Sequence, residues 1–157
     1  MPQLSAMSGN HVNLSVSDLD RSVAWYTRVF GLVVMGDERS VVPASQEPMR
    51  YRSLGSLDSM SYVIGLIEHS RRSSEPFDEH RPGLDHVALH VPSSDDLLEW
   101  AAHLDALDVE HSGVKPADYA SCITLRDPDG IQLELFWANM EFWAQLFISA
   151  AAAPTAD

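Results

Sequence analysis

In two short stretches of the chain, valine or leucine recurs strictly at every second position. The stretches are His11–Val16 and His86–Val91, and each begins with a histidine. Side chains of a strand point alternately to opposite faces, so each stretch predicts a half-buried strand with valine and leucine on its buried face. The opposite faces carry, in chain order, His11, Asn13, Ser15, His86, Ala88 and His90. This pattern is expected of a sheet whose apolar face packs against helices and whose opposite face directs histidines into a cavity.

The first stretch is followed by one helix signal and three strand-like segments. Ser17–Asp20 is typical of a helix N-terminus, apolar residues recur at helical spacing as far as Phe30, and Gly31 ends the helix. Strands are predicted at 32–35, 49–54 and 60–68.

The second stretch is followed by the same order of elements. Pro92–Asp96 predicts the start of a helix, and leucines and alanines continue on one face to Leu107. A short strand is predicted at Val109. Two more are predicted at 120–126 and 130–137, joined by the turn Asp127–Gly130.

The two halves are copies of one unit. A shift of 75 positions superposes identical residues at seven positions that pattern the core, namely His11 on His86, Val12 on Val87, Leu14 on Leu89, Val16 on Val91, Trp25 on Trp100, Leu32 on Leu107 and Val34 on Val109. This predicts an α+β fold of two tandem βαβββ modules that form a curved mixed sheet. The single domain covers 9–137, with module 1 at about 9–68, a linker at 69–83 and module 2 at about 84–137. A C-terminal helix at 138–149 and a disordered tail at 150–157 complete the prediction.

The composition of the chain indicates which kinds of partner and which location are to be expected. The chain has 157 residues, 45% of them hydrophobic, and a net charge of −13. A nucleic acid or an anionic membrane would repel such a surface, so we expect neither as a partner. The N-terminus lacks the features of a signal peptide, and no apolar run reaches the ~20 residues that span a bilayer, which favours a cytoplasmic location. The lone Cys122 is interpreted as a small buried hydrophobe, with a nucleophile as the alternative.

The motifs resemble one family, the vicinal oxygen chelate superfamily, which includes glyoxalase I, extradiol dioxygenases and the bleomycin and fosfomycin resistance proteins. The likeness covers about residues 9 to 137. It rests on the stretches Val16–Ser22, Trp25–Tyr26, Phe30–Leu32, Leu84–Ala88, Arg126–Gly130 and Leu133–Leu135. The resemblance implies a small-molecule substrate and a homodimer, but no single reaction, because this fold hosts many.

The resemblance also implies a metal site on the first and last strand of each module. It places ligands at His11, His86 and Glu134, whereas Gly65 stands where the first module would carry the counterpart of Glu134. The first module therefore lacks a ligand at this position, unless the side chain of Glu68 or His69 supplies one. Two imidazoles and a carboxylate suit non-haem Fe(II), with Mn(II), Zn(II) or Ni(II) as alternatives. The other interpretation is that the histidines lie at strand ends on a polar face and bind no metal.

Three functions remain open at this point, two of them enzymatic. The order His, His, Glu is most similar to extradiol, catechol-type dioxygenases, although Thr124 occupies the place of their tyrosine and 49–67 contains no histidine. Lyase or isomerase chemistry of the glyoxalase or epimerase type is the second possibility. The third is a metal-free protein that sequesters a ligand, as the bleomycin resistance proteins do.

Other residues are candidates for substrate contact or for catalysis. His90 is a candidate acid–base group or a partner of a metal ligand, and the alternative is a solvated histidine at a strand end. Tyr119, Phe136 and Asn13 are candidate substrate-binding residues, with core packing as the alternative for Tyr119. The apolar C-terminal helix would cover the mouth of the cavity, form a subunit interface or pack on the chain's own sheet.

Overall fold

The computed structural model describes residues 11–36, 48–56, 63–71 and 75–152. The start of the strand predicted at 60–68 lies outside these residues, as does the end of the predicted tail. The described helices and strands, in chain order, are β1 (His11–Ser15), α1 (Leu19–Phe30), β2 (Val33–Val34), β3 (Met49–Gly55), β4 (Val63–His69), β5 (Val87–His90), α2 (Ser94–Ala106), β6 (Lys115–Pro116), β7 (Ala120–Arg126), β8 (Gln132–Ala138) and α3 (Met140–Ala152).

Two sheets with the same topology confirm the predicted repeat. Their strand orders are β1-β4-β3-β2 and β5-β8-β7-β6. In each sheet the first strand pairs in parallel with the last strand of its module, and the other neighbours are antiparallel. Each module is therefore βαβββ and each sheet is mixed, so the α+β fold class is confirmed.

The chain divides into two compact units. The first contains the chain as far as Phe77 together with the turn Asp127–Gly130, and the second contains 78–126 and everything from Ile131 onwards. The sequence pattern assigns that turn to module 2, because it joins two strands of the second sheet. The turn nevertheless packs as part of the first unit.

The first unit buries one face of its sheet under α1. The alternation predicted for β1 is present, since Leu14 is 2% exposed while His11, Asn13 and Ser15 are exposed. Asp18 caps α1 by accepting a hydrogen bond from the backbone N–H of Arg21, and Gly31 ends it with φ +64°. Among the described residues of this unit, the fully buried apolar and aromatic side chains are Leu19, Tyr26, Val29, Leu54 and Leu66.

The turn Asp127–Gly130 binds α1 at two places. The hydroxyl of Tyr26 donates to Oδ2 of Asp127 over 3.1 Å, and both side chains are buried. At the helix N-terminus, the carboxylate of Asp129 accepts from the backbone N–H of Ser17 over 3.0 Å and from Nη2 of Arg21 over 2.8 Å. A carboxylate at this end of a helix is favoured by the helix dipole as well as by the hydrogen bonds.

The second unit repeats this design with a different cap. Ser93 and Asp96 form a capping box at the start of α2, in which each side chain accepts from the backbone N–H of the other residue. The buried hydrophobic core of its described residues consists of Val87, Val91, Leu97, Leu104, Ala120, Ile123, Leu125, Ile131, Leu133 and Leu135. Val87 and Val91 are buried, as the alternating pattern predicts.

The structure corrects the prediction at the following elements. Val109 is not a strand, because its N–H donates to the carbonyl of Leu104 and so ends α2, and the short edge strand is Lys115–Pro116 instead. Proline is tolerated there because an edge strand needs fewer N–H donors. β5 begins at Val87, so His86 precedes the strand. α3 continues to Ala152, beyond the predicted end at 149, because alanine favours helix.

No helix in the described part of the chain is long and apolar enough to cross a membrane.

Removing the Tyr26 hydroxyl tests the contact with the turn. We expect Tyr26→Phe to lower the free energy of unfolding by about 2 kcal/mol, because the buried carboxylate of Asp127 loses a donor. Tyr119→Phe is the matched control, since Tyr119 is 49% exposed, and it should change stability by less than about 0.5 kcal/mol. Chemical denaturation measures both. Equal stabilities for Tyr26→Phe and the unsubstituted protein would contradict this role.

The same contact predicts a loss of stability at alkaline pH. Burial, with the negative charge of Asp127 beside it, raises the pKa of Tyr26 far above its usual value. The neutral phenol is therefore favoured in the folded state, while the unfolded chain ionises near pH ~10. The contribution of this contact to the free energy of unfolding is therefore complete below pH ~10 and is lost as the pH rises above that value. The Tyr26→Phe variant should show a shallower decline between neutral pH and the alkaline range in the same denaturation measurement.

Candidate functional site

Equivalent positions of the two sheets carry different residues. In the first sheet Asn13 of β1 pairs with Gly65 of β4, and in the second Ala88 of β5 pairs with Glu134 of β8. Asn13 and Ala88 are themselves 75 positions apart, which is the shift of the repeat. The strand registers therefore agree with the sequence prediction that Gly65 occupies the place of Glu134.

The space next to Gly65 is already filled. A Cβ atom on Gly65 would lie 2.0 Å from Oδ1 of Asn13 and 2.9 Å from Cε2 of Tyr51, so any side chain would have to displace both. The hydroxyl oxygen of Tyr51 accepts a hydrogen bond from Oγ of Ser53 over 2.7 Å. Neutral polar groups thus stand on the first sheet where the second sheet has a carboxylate.

Glu68 does not replace the missing acid. Its Oε2 accepts from the backbone N–H of Leu19 over 3.2 Å and from Nη1 of Arg50 over 3.1 Å. Since Leu19 begins α1, these bonds hold the carboxylate on the helix side of the sheet, opposite to Gly65. His69 is the last residue of β4 and pairs with Met49.

In the second unit the structure brings His86 and Glu134 together. Nε2 of His86 lies 3.6 Å from Oε2 of Glu134, and Nδ1 of His86 lies 2.5 Å from Oδ1 of Asp85. A carboxylate at Nδ1 favours the tautomer with the proton on that nitrogen, which leaves the lone pair of Nε2 facing Glu134.

This donor set fits a divalent ion. Imidazole nitrogen and carboxylate oxygen bind such ions at about 2.0–2.2 Å, so two ligand atoms on one ion lie roughly 3 Å apart. A separation of 3.6 Å needs only a small adjustment of either side chain. The side chain of His86 is 39% exposed and that of Glu134 is 18% exposed, so a solute can reach the space between them.

Cys122 and Thr124 lie beside Glu134 on the neighbouring strand. Thr124 pairs directly with Glu134, and Cys122 lies two residues before Thr124 on the same face of β7. Burial, together with the neighbouring carboxylate of Glu134, raises the pKa of the Cys122 thiol to about 11. Cys122 is therefore a half-buried neighbour of the site, whereas the sequence predicted a buried hydrophobe.

The other predicted metal and catalytic residues occupy open faces. His11 is the first residue of β1 in the first unit, pairs with Val63 and is exposed. His90 is the last residue of β5, pairs with Phe136 and is exposed. Their roles as metal ligand and as acid–base group stay predictions.

The predicted substrate-binding residues lie in three different settings. Asn13 covers Gly65 in the first unit. Phe136 is half-buried on β8 between Cys122 and His90. Tyr119 contacts α3 instead, because its carbonyl accepts from Nε1 of Trp143 and its ring packs against Trp143 and Phe142.

Sequence reasoning missed two residues of this site. Asp85 is adjacent to His86 in the chain, so a signal was present, but only the structure shows its carboxylate on the imidazole. Cys122 gave no signal, since a lone cysteine between apolar residues is typical of a core strand.

A separate group of potential ligands lies at the start of the second unit. Ligand atoms of Asp78, Glu79 and His80 fall within 4.8 Å of one another. Arginines already neutralise the two acids, since Arg81 binds Asp78 and Arg126 binds Glu79, whose pKa this contact lowers to about 2. The group is an ion-pair cluster.

Comparison with known families identifies the architecture. The family model described as the Glyoxalase/Bleomycin resistance protein/Dioxygenase superfamily matches residues 9–135. The chain belongs to this superfamily. No curated protein sequence matches it significantly.

Solved structures of the superfamily show the same fold. A glyoxylase/bleomycin resistance protein/dioxygenase domain from Frankia sp. EAN1pec is 28% identical, with a TM-score of 0.73, 87% of this chain covered and 100% of that chain. A FosX fosfomycin resistance protein variant from Listeria monocytogenes, complexed with Mn(II) and 1S,2S-dihydroxypropylphosphonic acid, is 19% identical over 91% of this chain and 99% of that chain, with a TM-score of 0.63. Lactoylglutathione lyase from Agrobacterium tumefaciens is 18% identical over 83% of this chain and 93% of that chain, with a TM-score of 0.60.

The contact between Cys122 and Glu134 predicts slow alkylation of the thiol. Glu134→Gln removes the negative charge, so the thiol pKa should fall and iodoacetamide should react about three- to tenfold faster at pH ~8. Glu110→Gln is the matched control, because Glu110 is an exposed acid of the same unit, and it should leave the rate unchanged. Mass spectrometry of the alkylated protein gives the rates. Equal rates for the unsubstituted protein and Glu134→Gln would refute the contact.

Proposed function

We propose that this protein is a divalent-metal-dependent enzyme whose small substrate chelates the metal through vicinal oxygens. The observation that carries the proposal is the pair His86 and Glu134, with Nε2 and Oε2 3.6 Å apart. His11 is proposed as the third ligand. Such a set of two imidazoles and one carboxylate leaves open positions for a chelating substrate.

The residues of this chain have separate tasks in that proposal. The bound ion would act as a Lewis acid that lowers the pKa of a substrate hydroxyl. Fe(II) is the proposed metal, with Mn(II), Zn(II) and Ni(II) as alternatives, since this ligand type suits non-haem iron. His90 accepts or returns the substrate proton, and Phe136 offers an apolar contact for the carbon skeleton. Asn13 offers a neutral hydrogen bond from the first unit.

Two structural relatives support the substrate class without deciding the reaction. The Listeria FosX variant holds Mn(II) and a phosphonic acid that carries adjacent hydroxyl groups. The Agrobacterium relative is a lactoylglutathione lyase. Our first candidate reaction is extradiol, catechol-type oxygenation, because the ligand order His, His, Glu is the one that those dioxygenases use. Thr124 beside Glu134 supplies a hydroxyl without the acidity of a tyrosine, so His90 would be the proton acceptor.

Metal analysis tests the metal site. Protein purified without chelator should contain close to one divalent ion per chain by elemental analysis. His11→Ala, His86→Ala and Glu134→Ala should each reduce metal affinity by at least about tenfold, since each removes a direct ligand. His103→Ala is the matched control, because His103 lies on α2. Retention of full metal content by Glu134→Ala would eliminate the proposed site.

Oxygen consumption distinguishes the candidate reactions. With Fe(II) added, extradiol chemistry predicts oxygen uptake on addition of a catechol, measured with an oxygen electrode. Metal binding without oxygen uptake favours a lyase or isomerase. If metal-free protein binds the catechol as tightly as metal-loaded protein, the chain sequesters ligands and the enzyme proposal is wrong.

A further inference from the structure

The ring of His86 has polar contacts on both nitrogens. Nδ1 lies 2.5 Å from Oδ1 of Asp85, and Nε2 lies 3.6 Å from Oε2 of Glu134. These two contacts are the polar contacts of the ring within the described part of the chain. Nε2 therefore faces the candidate metal position, and Nδ1 contacts the carboxylate of Asp85.

We propose that Asp85 is the positioning residue of the metal site. Its carboxylate holds the proton of His86 on Nδ1 and turns Nε2, with its lone pair, toward Glu134. This inference rests on the proposed function, since the orientation matters only if Nε2 is a ligand.

The position of His86 in the chain favours a role for such a partner. His86 precedes β5, which begins at Val87, so the strand ladder does not fix its backbone. The side chain is also 39% exposed, so burial alone does not fix the rotation of the ring. A neutral imidazole exists as two tautomers, and only the one with its proton on Nδ1 has a lone pair on Nε2. A hydrogen bond from Nδ1 to a carboxylate selects that tautomer and fixes the orientation of the ring.

The expected magnitude is limited by exposure. Loss of such an orienting partner typically weakens metal binding about 10- to 100-fold. The side chain of Asp85 is 71% exposed, so water competes for the same hydrogen bond. We therefore expect an effect near the lower end, about tenfold.

The first half of the repeat suggests the most informative substitution. The residue before His11 is Asn10, whereas the residue before His86 is Asp85. Asp85→Asn gives the second half the same dipeptide as the first. Asparagine keeps an acceptor oxygen but loses the charge, so it should orient the ring less strongly than aspartate and more strongly than alanine.

Titration with Mn(II), followed by the electron paramagnetic resonance signal of the free ion, measures the effect on binding. Affinity should fall about tenfold in Asp85→Ala and less in Asp85→Asn. Asp118→Asn removes the same charge from an exposed position of the same unit and should bind Mn(II) as the unsubstituted protein does. Equal affinities for Asp85→Ala and the unsubstituted protein would overturn the inference while leaving the proposed metal site intact. Absence of Mn(II) binding by the unsubstituted protein would overturn both.

Nitrogen-15 resonances of the imidazole rings in metal-free protein give a second, independent result. His86→Gln identifies the signals of His86 among the seven histidines. The unsubstituted protein should show the proton on Nδ1, and Asp85→Ala should shift the population toward the Nε2 tautomer. An unchanged tautomer in Asp85→Ala would show that Asp85 does not orient the ring, and the inference would be wrong even if Mn(II) affinity fell.

Discussion

The contact between Tyr26 and Asp127 is the constraint on which the first unit depends. A buried carboxylate is stable only when donors surround it, and the hydroxyl of Tyr26 and the backbone N–H of Asp129 supply two of them. Asp129 follows in the same turn and binds the N-terminal residues of α1. The turn therefore fixes one helix at its middle and at its start, and that helix covers the buried face of the β1-β4-β3-β2 sheet.

Strand pairing then decides which side chains share the open faces. Because side chains alternate along a strand, the pairing of Ala88 with Glu134 places the carboxylate on the same face as its neighbours Phe136 and Gln132. The same rule places Gly65 beside Asn13 on the first sheet. Identical topology thus presents a carboxylate in one unit and a filled, neutral position in the other, and the two halves of the repeat differ in chemistry while they agree in fold.

The candidate metal ligands of the second unit depend on neighbours as much as on their own positions. Asp85 holds Nδ1 of His86, and Glu134 pairs with Thr124 and lies close enough to Cys122 to raise the pKa of its thiol. Each contact restricts a side chain that is otherwise free to rotate. A ligand set that is held in this way loses less conformational freedom when it binds an ion, which favours tighter binding.

The sequence alone determined the repeat, the order of elements and the candidate ligands, because alternation, caps and glycines act locally. It predicted the α+β class, and it predicted that Gly65 and Glu134 are equivalent, which needs only strand parity and the alignment of Leu66 with Leu135. Tertiary structure alone decided that Asp127 and Asp129 bind α1, that Asp85 reaches the imidazole and that Cys122 lies against Glu134. Val109 was misplaced for the same reason, since its N–H bonds to Leu104 rather than to a strand. Such contacts join residues through side-chain geometry or chain reversal, and periodicity along the sequence carries no information about either.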